Sequence, residues 1–86
     1  MVDAAIEAYT KALDLKPDDA ATVFNLMVAH FAKENWGEAA MNGEKYVGMS
    51  PNDASGWQYL AQCYNKMGES EKAMEALQRY NTLKGQ

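Results

Sequence analysis

The sequence predicts an all-α fold of five helices, which form antiparallel pairs and repeat along the chain at a fixed interval. The first observation is that Pro17 and Pro51, about 34 residues apart, are each followed by two polar residues and an alanine. The second is that apolar positions keep this interval, as Ala5, Ala39 and Ala73 do twice. The third is that apolar residues within a unit follow the i, i+3, i+4, i+7 spacing of one helix face. So many positions in one register indicate a true internal repeat.

The first two helices are separated by a proline. The first helix is predicted over Asp3 to Leu15 and ends before Pro17, because proline cannot continue a helix. Asp19 is a residue type favoured at a helix N-cap, so it opens the second helix, Asp19 to Glu34. The apolar stripe of this helix consists of Val23, Leu26, Met27, His30 and Phe31.

The third helix is predicted over Gly37 to Val47, although Asn42 and Gly43 form a dipeptide typical of turns. A glycine in a helix interior costs about 1 kcal/mol relative to alanine. Because Ala39 and Pro51 keep the register of the repeat on either side, the repeat favours a helix here.

The fourth and fifth helices repeat the second and third. They are predicted over Asp53 to Met67 and Ser70 to Leu83, and Asp53 and Ser70 are the expected N-caps. Gly68 is expected to end the fourth helix, since glycine commonly follows a helix C-terminus. One domain, residues 1–86, therefore contains a half repeat (1–19) and two full repeats (20–53 and 54–86).

A helix-turn-helix unit of about 34 residues that ends in proline resembles the tetratricopeptide repeat, and the resemblance covers essentially the whole chain. In the last unit the family pattern is carried by Trp57, Leu60, Ala61, Tyr64, Ala73, Leu77 and Leu83. The resemblance implies a right-handed α-solenoid of stacked helix pairs. Its concave groove would be lined mainly by the first helix of each unit.

Two positions of the third helix depart from the family pattern. Gly43 stands where the family has a large aromatic residue, and Tyr46 stands where it has a small one. The two positions are i and i+3, so they lie on one helix face. We expect either that the Tyr46 ring fills the space that Gly43 vacates, or that the helix packs differently at this point.

The resemblance also implies a peptide-binding groove with little charge. Its predicted residues are Phe24, Asn25, Val28, Phe31, Ser55, Gln58, Tyr59, Gln62 and Asn65. Gln58 and Gln62 share a helix face at i and i+4, and Asn65 follows three residues later. Such amides could hydrogen-bond the backbone of an extended or helical peptide without requiring charge. The alternative is that they are ordinary exposed helix surface.

No residue pattern indicates catalysis, a metal site or a cofactor. His30 lies on an apolar stripe with Glu34 one turn later, but a zinc site needs three or four ligands and no others converge. Cys63 lies in register with Ala29, which predicts a buried packing role rather than a reactive thiol. The methionines after Met1 are expected to fill the core, with an adaptable binding surface as the alternative. We therefore predict that the chain is not an enzyme.

Composition restricts the partners. The chain carries 8 basic and 12 acidic residues, a net charge of −4, and no basic cluster, which argues against nucleic acid. No segment reaches the ~20 apolar residues of a membrane span. A lone cysteine allows no internal disulfide and fits a reducing compartment. The cytoplasm is the default location, although a periplasmic fragment without its signal would look the same.

Two functions are predicted. The leading one is a non-catalytic scaffold module that binds a peptide or partner helix of low charge in the concave groove. The alternative is a structural unit that forms homo-oligomers through its terminal helices. The chain begins with a second helix, so Ile6, Tyr9 and Leu13 are expected to lack a covering partner. No capping helix is expected to seal Tyr64, Leu77 and Tyr80 at the other end. We therefore expect self-association at about 0.1 to 1 mM, which corresponds to a free energy of association of roughly 4 to 5.5 kcal/mol.

Overall fold

The computed structural model describes all residues 1–86 and contains α-helices as its only regular secondary structure. The helices are α1 (Val2–Leu15), α2 (Ala20–Ala32), α3 (Trp36–Met49), α4 (Ala54–Lys66) and α5 (Ser70–Lys84). This confirms the predicted all-α fold of five helices. Every helix begins and ends within two residues of its predicted bounds.

Aspartate side chains cap the first helix of each full repeat, as predicted. One carboxylate oxygen of Asp19 accepts a hydrogen bond from the Thr22 hydroxyl at 2.9 Å, at the start of α2. Asp53 accepts one from the backbone N–H of Ser55 at 3.0 Å, at the start of α4. The first turn of a helix has backbone N–H groups without a partner in the helix, and the Asp53 bond satisfies one of them. The bond between Asp19 and Thr22 joins two side chains and fixes the geometry of the cap.

The prediction that Ser70 caps α5 is wrong, because the N-cap is Glu69 and Ser70 is already helical. Gly68 ends the turn after α4 with a left-handed φ of 77°, as expected of a glycine there. The N–H of Glu69 then donates to the carbonyl of Tyr64, and the N–H of Ala73 donates to the carbonyl of Glu69, both at 2.9 Å. The helix therefore starts one residue earlier than a Ser70 cap would allow.

The turn between α2 and α3 has the same geometry without a glycine. Glu34 occupies the repeat position of Gly68 and is also left-handed, with a φ of 61°. This backbone conformation ends α2 at Ala32, two residues before the predicted end. A residue with a Cβ has a steric cost in this region that glycine does not.

We expect Glu34→Gly to stabilise the protein by about 0.5–1 kcal/mol. Left-handed backbone costs a residue with a Cβ roughly 1–2 kcal/mol, and the greater freedom of glycine in the unfolded chain offsets part of the gain. Urea unfolding followed by circular dichroism measures the effect. Gly68→Ala is the matched control and should destabilise by a similar amount, so stabilisation by both substitutions would contradict this interpretation.

Consecutive helices pack against each other along the chain, and α2 also contacts α4, which is the arrangement of a helical solenoid. The main core lies between α2, α3 and α4, with one residue from α5, whereas α1 contributes no fully buried residue. The core cluster contains Val23, Ala39, Ala40, Tyr46, Val47, Leu60, Ala61, Cys63, Tyr64 and Ala76. The first full repeat and the first helix of the second full repeat are therefore the most deeply packed part of the molecule.

The Tyr46 ring does not fill the space beside Gly43, which was the first of our two expectations. A Cβ on Gly43 would lie 3.1 Å from Leu60 Cδ1 and 3.2 Å from Met27 Sδ, so those side chains occupy the space. The Tyr46 ring packs instead on α4, where a Cβ on Gly56 would lie 2.7 Å from Tyr46 Cδ2. The absence of a side chain at Gly56 is therefore what admits the Tyr46 ring.

Candidate protein-interaction surface

Aromatic side chains join α2, α3 and α4 in one cluster. The Tyr59 ring lies 5.8 Å from the Phe24 ring and 5.1 Å from the Phe31 ring, both nearly perpendicular to it. Phe24 also contacts Tyr46 at 4.9 Å, and Phe31 contacts Trp36 at 5.1 Å. Such edge-to-face pairs stabilise packing beyond the area that they bury. Three predicted groove residues, Phe24, Phe31 and Tyr59, are thus half-buried between helices.

Two tyrosine hydroxyls bind carboxylates and hold α3 against α4. Tyr46 donates to Asp53 at the start of α4, and Tyr64 of α4 donates to Glu44 of α3. Burial, followed by the hydrogen bond to a carboxylate, raises the pKa of both tyrosines above the ordinary value. Both hydroxyls therefore stay protonated as donors at neutral pH, and their hydrogen bonds link α3 to α4.

A cleft with a volume of about 420 Å³ lies between α4 and α5. Its lining residues are Gln58, Ala61, Gln62, Asn65, Ser70, Ala73, Met74, Leu77 and Tyr80. None of them carries a formal charge at neutral pH. Met74 is 70% exposed and Leu77 is 48% exposed, so the cleft presents apolar side chains to solvent.

The α4 wall of this cleft is a row of amides. Gln58, Gln62 and Asn65 follow one another at i, i+4 and i+7, so they lie along one face of α4. The side-chain hydrogen bonds of the structure involve none of these three amides. The cleft therefore combines an apolar floor with free donors and acceptors at its edge, a combination typical of binding sites.

The structure divides the remaining predicted groove residues. Asn25 and Val28 line a shallower cleft of about 330 Å³ between α1 and α2, together with Val2 and Tyr9. Ser55 lies in the first turn of α4, where its N–H donates to the capping Asp53 carboxylate, and it lines neither cleft. The nine predicted residues thus fall into four groups: the aromatic cluster, the α4–α5 cleft, the α1–α2 cleft and the start of α4.

The predicted groove lies on the first helices of the units and does not include the α5 wall, although Leu77 and Tyr80 were expected to lack a covering helix. The same expectation for Tyr64 is wrong, because Tyr64 is only 8% exposed and bonds to Glu44 of α3. Met74, Leu77 and Tyr80 supply the apolar side of the α4–α5 cleft. The repeat register contained a signal for this wall. Leu77 stands one repeat after Gly43, which lies against Leu60 of α4, so a bulky side chain occupies the place of a glycine.

The expectation that the methionines after Met1 fill the core is wrong for Met41, Met67 and Met74, which are 63%, 37% and 70% exposed. For Met74 the alternative, an adaptable binding surface, stays open.

The candidate chemical residues have packing roles. His30 Nδ1 accepts a hydrogen bond from the Asn35 side-chain amide at 3.3 Å. Cys63 is fully buried, and burial raises the pKa of its thiol to about 11, so the reactive thiolate is scarce at neutral pH. No three residues of the types that bind metals are grouped, and no helix has the length and apolar character to cross a membrane.

Sequence profiles of the tetratricopeptide repeat match residues 1–19 and residues 44–77, which together make up more than half of the chain. The chain belongs to the tetratricopeptide repeat family, a family of non-catalytic protein-interaction repeats. Among curated proteins, no sequence matches it significantly.

Several solved structures of MamA have the same fold. A MamA mutant superposes with a TM-score of 0.94 at 25% identity, over 98% of this chain and 46% of the MamA chain. A crystal structure of MamA gives a TM-score of 0.93 at 27% identity, over 95% and 48%. The chain therefore spans about half the length of these MamA structures. The family and these relatives indicate a protein–protein interaction module in general terms.

Proposed function

We propose that this chain is a non-catalytic module that binds a low-charge peptide or helix of a partner protein in its groove, with the α4–α5 cleft as the main contact. The observation that carries the proposal is the cleft itself, which is uncharged, about 420 Å³ in volume and lined by residues of two helices. Clefts of this size with a few polar groups are the usual form of a recognition site.

The two walls of the cleft have complementary roles in this proposal. Met74 and Leu77 provide apolar area that a partner would remove from water, which supplies affinity. The amides of Gln58, Gln62 and Asn65 orient the partner through hydrogen bonds to its backbone or its polar side chains. The tyrosine–carboxylate bonds behind α4 keep this wall in place without a bound partner.

Self-assembly is a second candidate. The apolar cleft between α1 and α2, lined by Met1, Val2 and Val28 among others, offers a contact surface at the opposite end of the molecule. Sedimentation at about 0.1 to 1 mM tests this candidate, since interfaces of modest energy associate in that range. A strictly monomeric species there would leave the binding of another protein as the only function.

Charge placed in the cleft should weaken binding. A peptide selected from a random library on the immobilised chain is titrated against Met74→Lys and against Met41→Lys. Both methionines are exposed, at 70% and 63%, so neither change should unfold the protein, but only Met74 lines the cleft. We expect Met74→Lys to weaken binding by about tenfold or more and Met41→Lys to leave it unchanged. Equal affinities for the two variants would place the site elsewhere.

Binding should depend little on salt. Because the cleft lining carries no formal charge, raising ionic strength from about 50 to about 200 mM should change the affinity of the selected peptide by less than about threefold. Isothermal titration at the two salt concentrations measures it. A loss approaching ~100-fold would mean that carboxylates outside the cleft carry recognition.

A further inference from the structure

The outer face of α3 is not covered by the rest of the chain. Helix α3 contacts α2 and α4, and it contacts neither α1 nor α5, the equivalent helices of the adjacent units. Its buried residues share one side of the helix, and the opposite side carries Glu38, Met41, Asn42 and Lys45 at i, i+3, i+4 and i+7. These four residues define the outer face of α3, which belongs to neither of the clefts described above.

The charges on this face have no partner within the chain. Glu38 and Lys45 are both exposed, and neither takes part in a salt bridge. They are two turns apart, about 10.5 Å along the helix axis, so their side chains point the same way rather than toward each other. On α1, by contrast, opposite charges pair within the helix. The outer face of α3 therefore presents a negative and a positive charge with Met41 and Asn42 between them.

This pattern is complementary to itself. When two copies of α3 pack face to face and antiparallel about a two-fold axis between Met41 and Asn42, Glu38 of each copy lies opposite Lys45 of the other, because the two residues are equally far from the axis. The two-fold axis therefore creates the ion pair twice. Met41 of one copy meets Met41 of the other on one side of the axis, and the two Asn42 side chains meet on the other side.

We propose that two copies of this chain associate through the outer faces of α3 as an antiparallel helix pair. Charge complementarity selects a second copy as the occupant, since one face supplies both charges of each ion pair at the matching spacing. Met41 is an exposed apolar side chain, and association removes it from water. Beside it, Gly37 and Gly48 have no side chain to keep the two helices apart, and a Cβ on either would have nothing within 4 Å.

The dimer is expected to be weak. Exposed ion pairs contribute little individually, and each copy buries one large apolar side chain on this face. We therefore expect a dissociation constant of about 0.1–1 mM at low ionic strength. The inference goes beyond the proposed function, because the interface uses neither α4 nor α5, and it concerns a surface distinct from the α1–α2 cleft.

Sedimentation of charge-reversal variants tests the pairing. Glu38→Lys and Lys45→Glu each place like charges opposite one another at both ion pairs, so each variant should dimerise about tenfold more weakly or worse. The double variant, with Glu38→Lys and Lys45→Glu together, exchanges the two charges and should dimerise as the original chain does. An equimolar mixture of the two single variants should form a mixed dimer, in which both pairs are attractive again.

Two features of this experiment separate the pairing from other effects. Recovery in the double variant and in the mixture cannot arise from damaged folds, because each protein would keep its own damage. Glu75→Lys, at an exposed position of α5, changes the net charge by as much as Glu38→Lys does and should leave the dimer unchanged. Its effect therefore measures how far net charge alone alters association.

The dimer and the proposed function can fail separately. Met41→Lys should dissociate the dimer and keep the selected peptide bound, whereas Met74→Lys should weaken peptide binding and keep the dimer. A chain that stays monomeric at about 1 mM would overturn the inference. So would a dimer that tolerates both single charge reversals, and its loss on Val28→Lys would move the contact to the α1–α2 cleft.

Discussion

Replacing Leu60 with alanine is expected to destabilise the protein by about 2–5 kcal/mol, the range found when a buried leucine is truncated. Leu60 is 2% exposed and lies over Gly43, where no side chain from α3 can move in to fill the space. The loss combines the transfer of apolar atoms with the cavity left behind. Small domains have about 5 kcal/mol or little more to lose, so the variant should be close to unfolding at ambient temperature.

Urea unfolding followed by circular dichroism measures this loss. Leu77→Ala is the matched control, because it removes the same atoms from a side chain that is 48% exposed. Its effect should stay below about 1 kcal/mol, since little buried area is lost. If Leu60→Ala leaves the unfolding midpoint unchanged, the register that places Leu60 in the core is incorrect.

Gly56→Ala is expected to destabilise by about 1–3 kcal/mol, although alanine is the better helix former. The added Cβ would lie 2.7 Å and 2.9 Å from two carbons of the Tyr46 ring, closer than packed atoms allow. The ring cannot simply swing away, because its hydroxyl is bonded to Asp53 and it packs on Phe24. Either α3 and α4 separate or the tyrosine leaves its site, and both options cost packing.

Gly48→Ala is the control for helix propensity. Gly48 also lies within a helix, but a Cβ there would have nothing within 4 Å. It should therefore stabilise the protein by roughly 0.5–1 kcal/mol, the usual difference between glycine and alanine. Opposite signs for the two substitutions are the expected result. Stabilisation by both would show that the Tyr46–Gly56 contact does not restrict the packing of α3 and α4.

The elements that sequence reasoning predicted well depend on one helix and its own neighbours. The caps at Asp19 and Asp53 followed from residue type and from the prolines before them. Helix α3 followed from the repeat register, despite the glycines within it. Local signals of this kind act within a few residues, so a single sequence contains them.

The packing of Tyr46 on Gly56 could not be obtained in the same way. Spacing shows which residues share a face of one helix, but it does not show which residue of the next helix stands opposite. Gly43 was the nearest gap along the chain, whereas Gly56 is the gap in space. The same limit explains the candidate site, because Met74 and Leu77 of α5 meet the amides of α4 only through tertiary packing.

Amide-resolved NMR of the labelled chain tests the central claim most directly. With the library-selected peptide added, the side-chain amide signals of Gln58, Gln62 and Asn65 should shift together with the methyl signal of Met74. The signals of Asn25, in the α1–α2 cleft, should remain in place. Shifts confined to Asn25 and its neighbours, with the α4–α5 cleft unchanged, would contradict the assignment of this cleft as the binding surface.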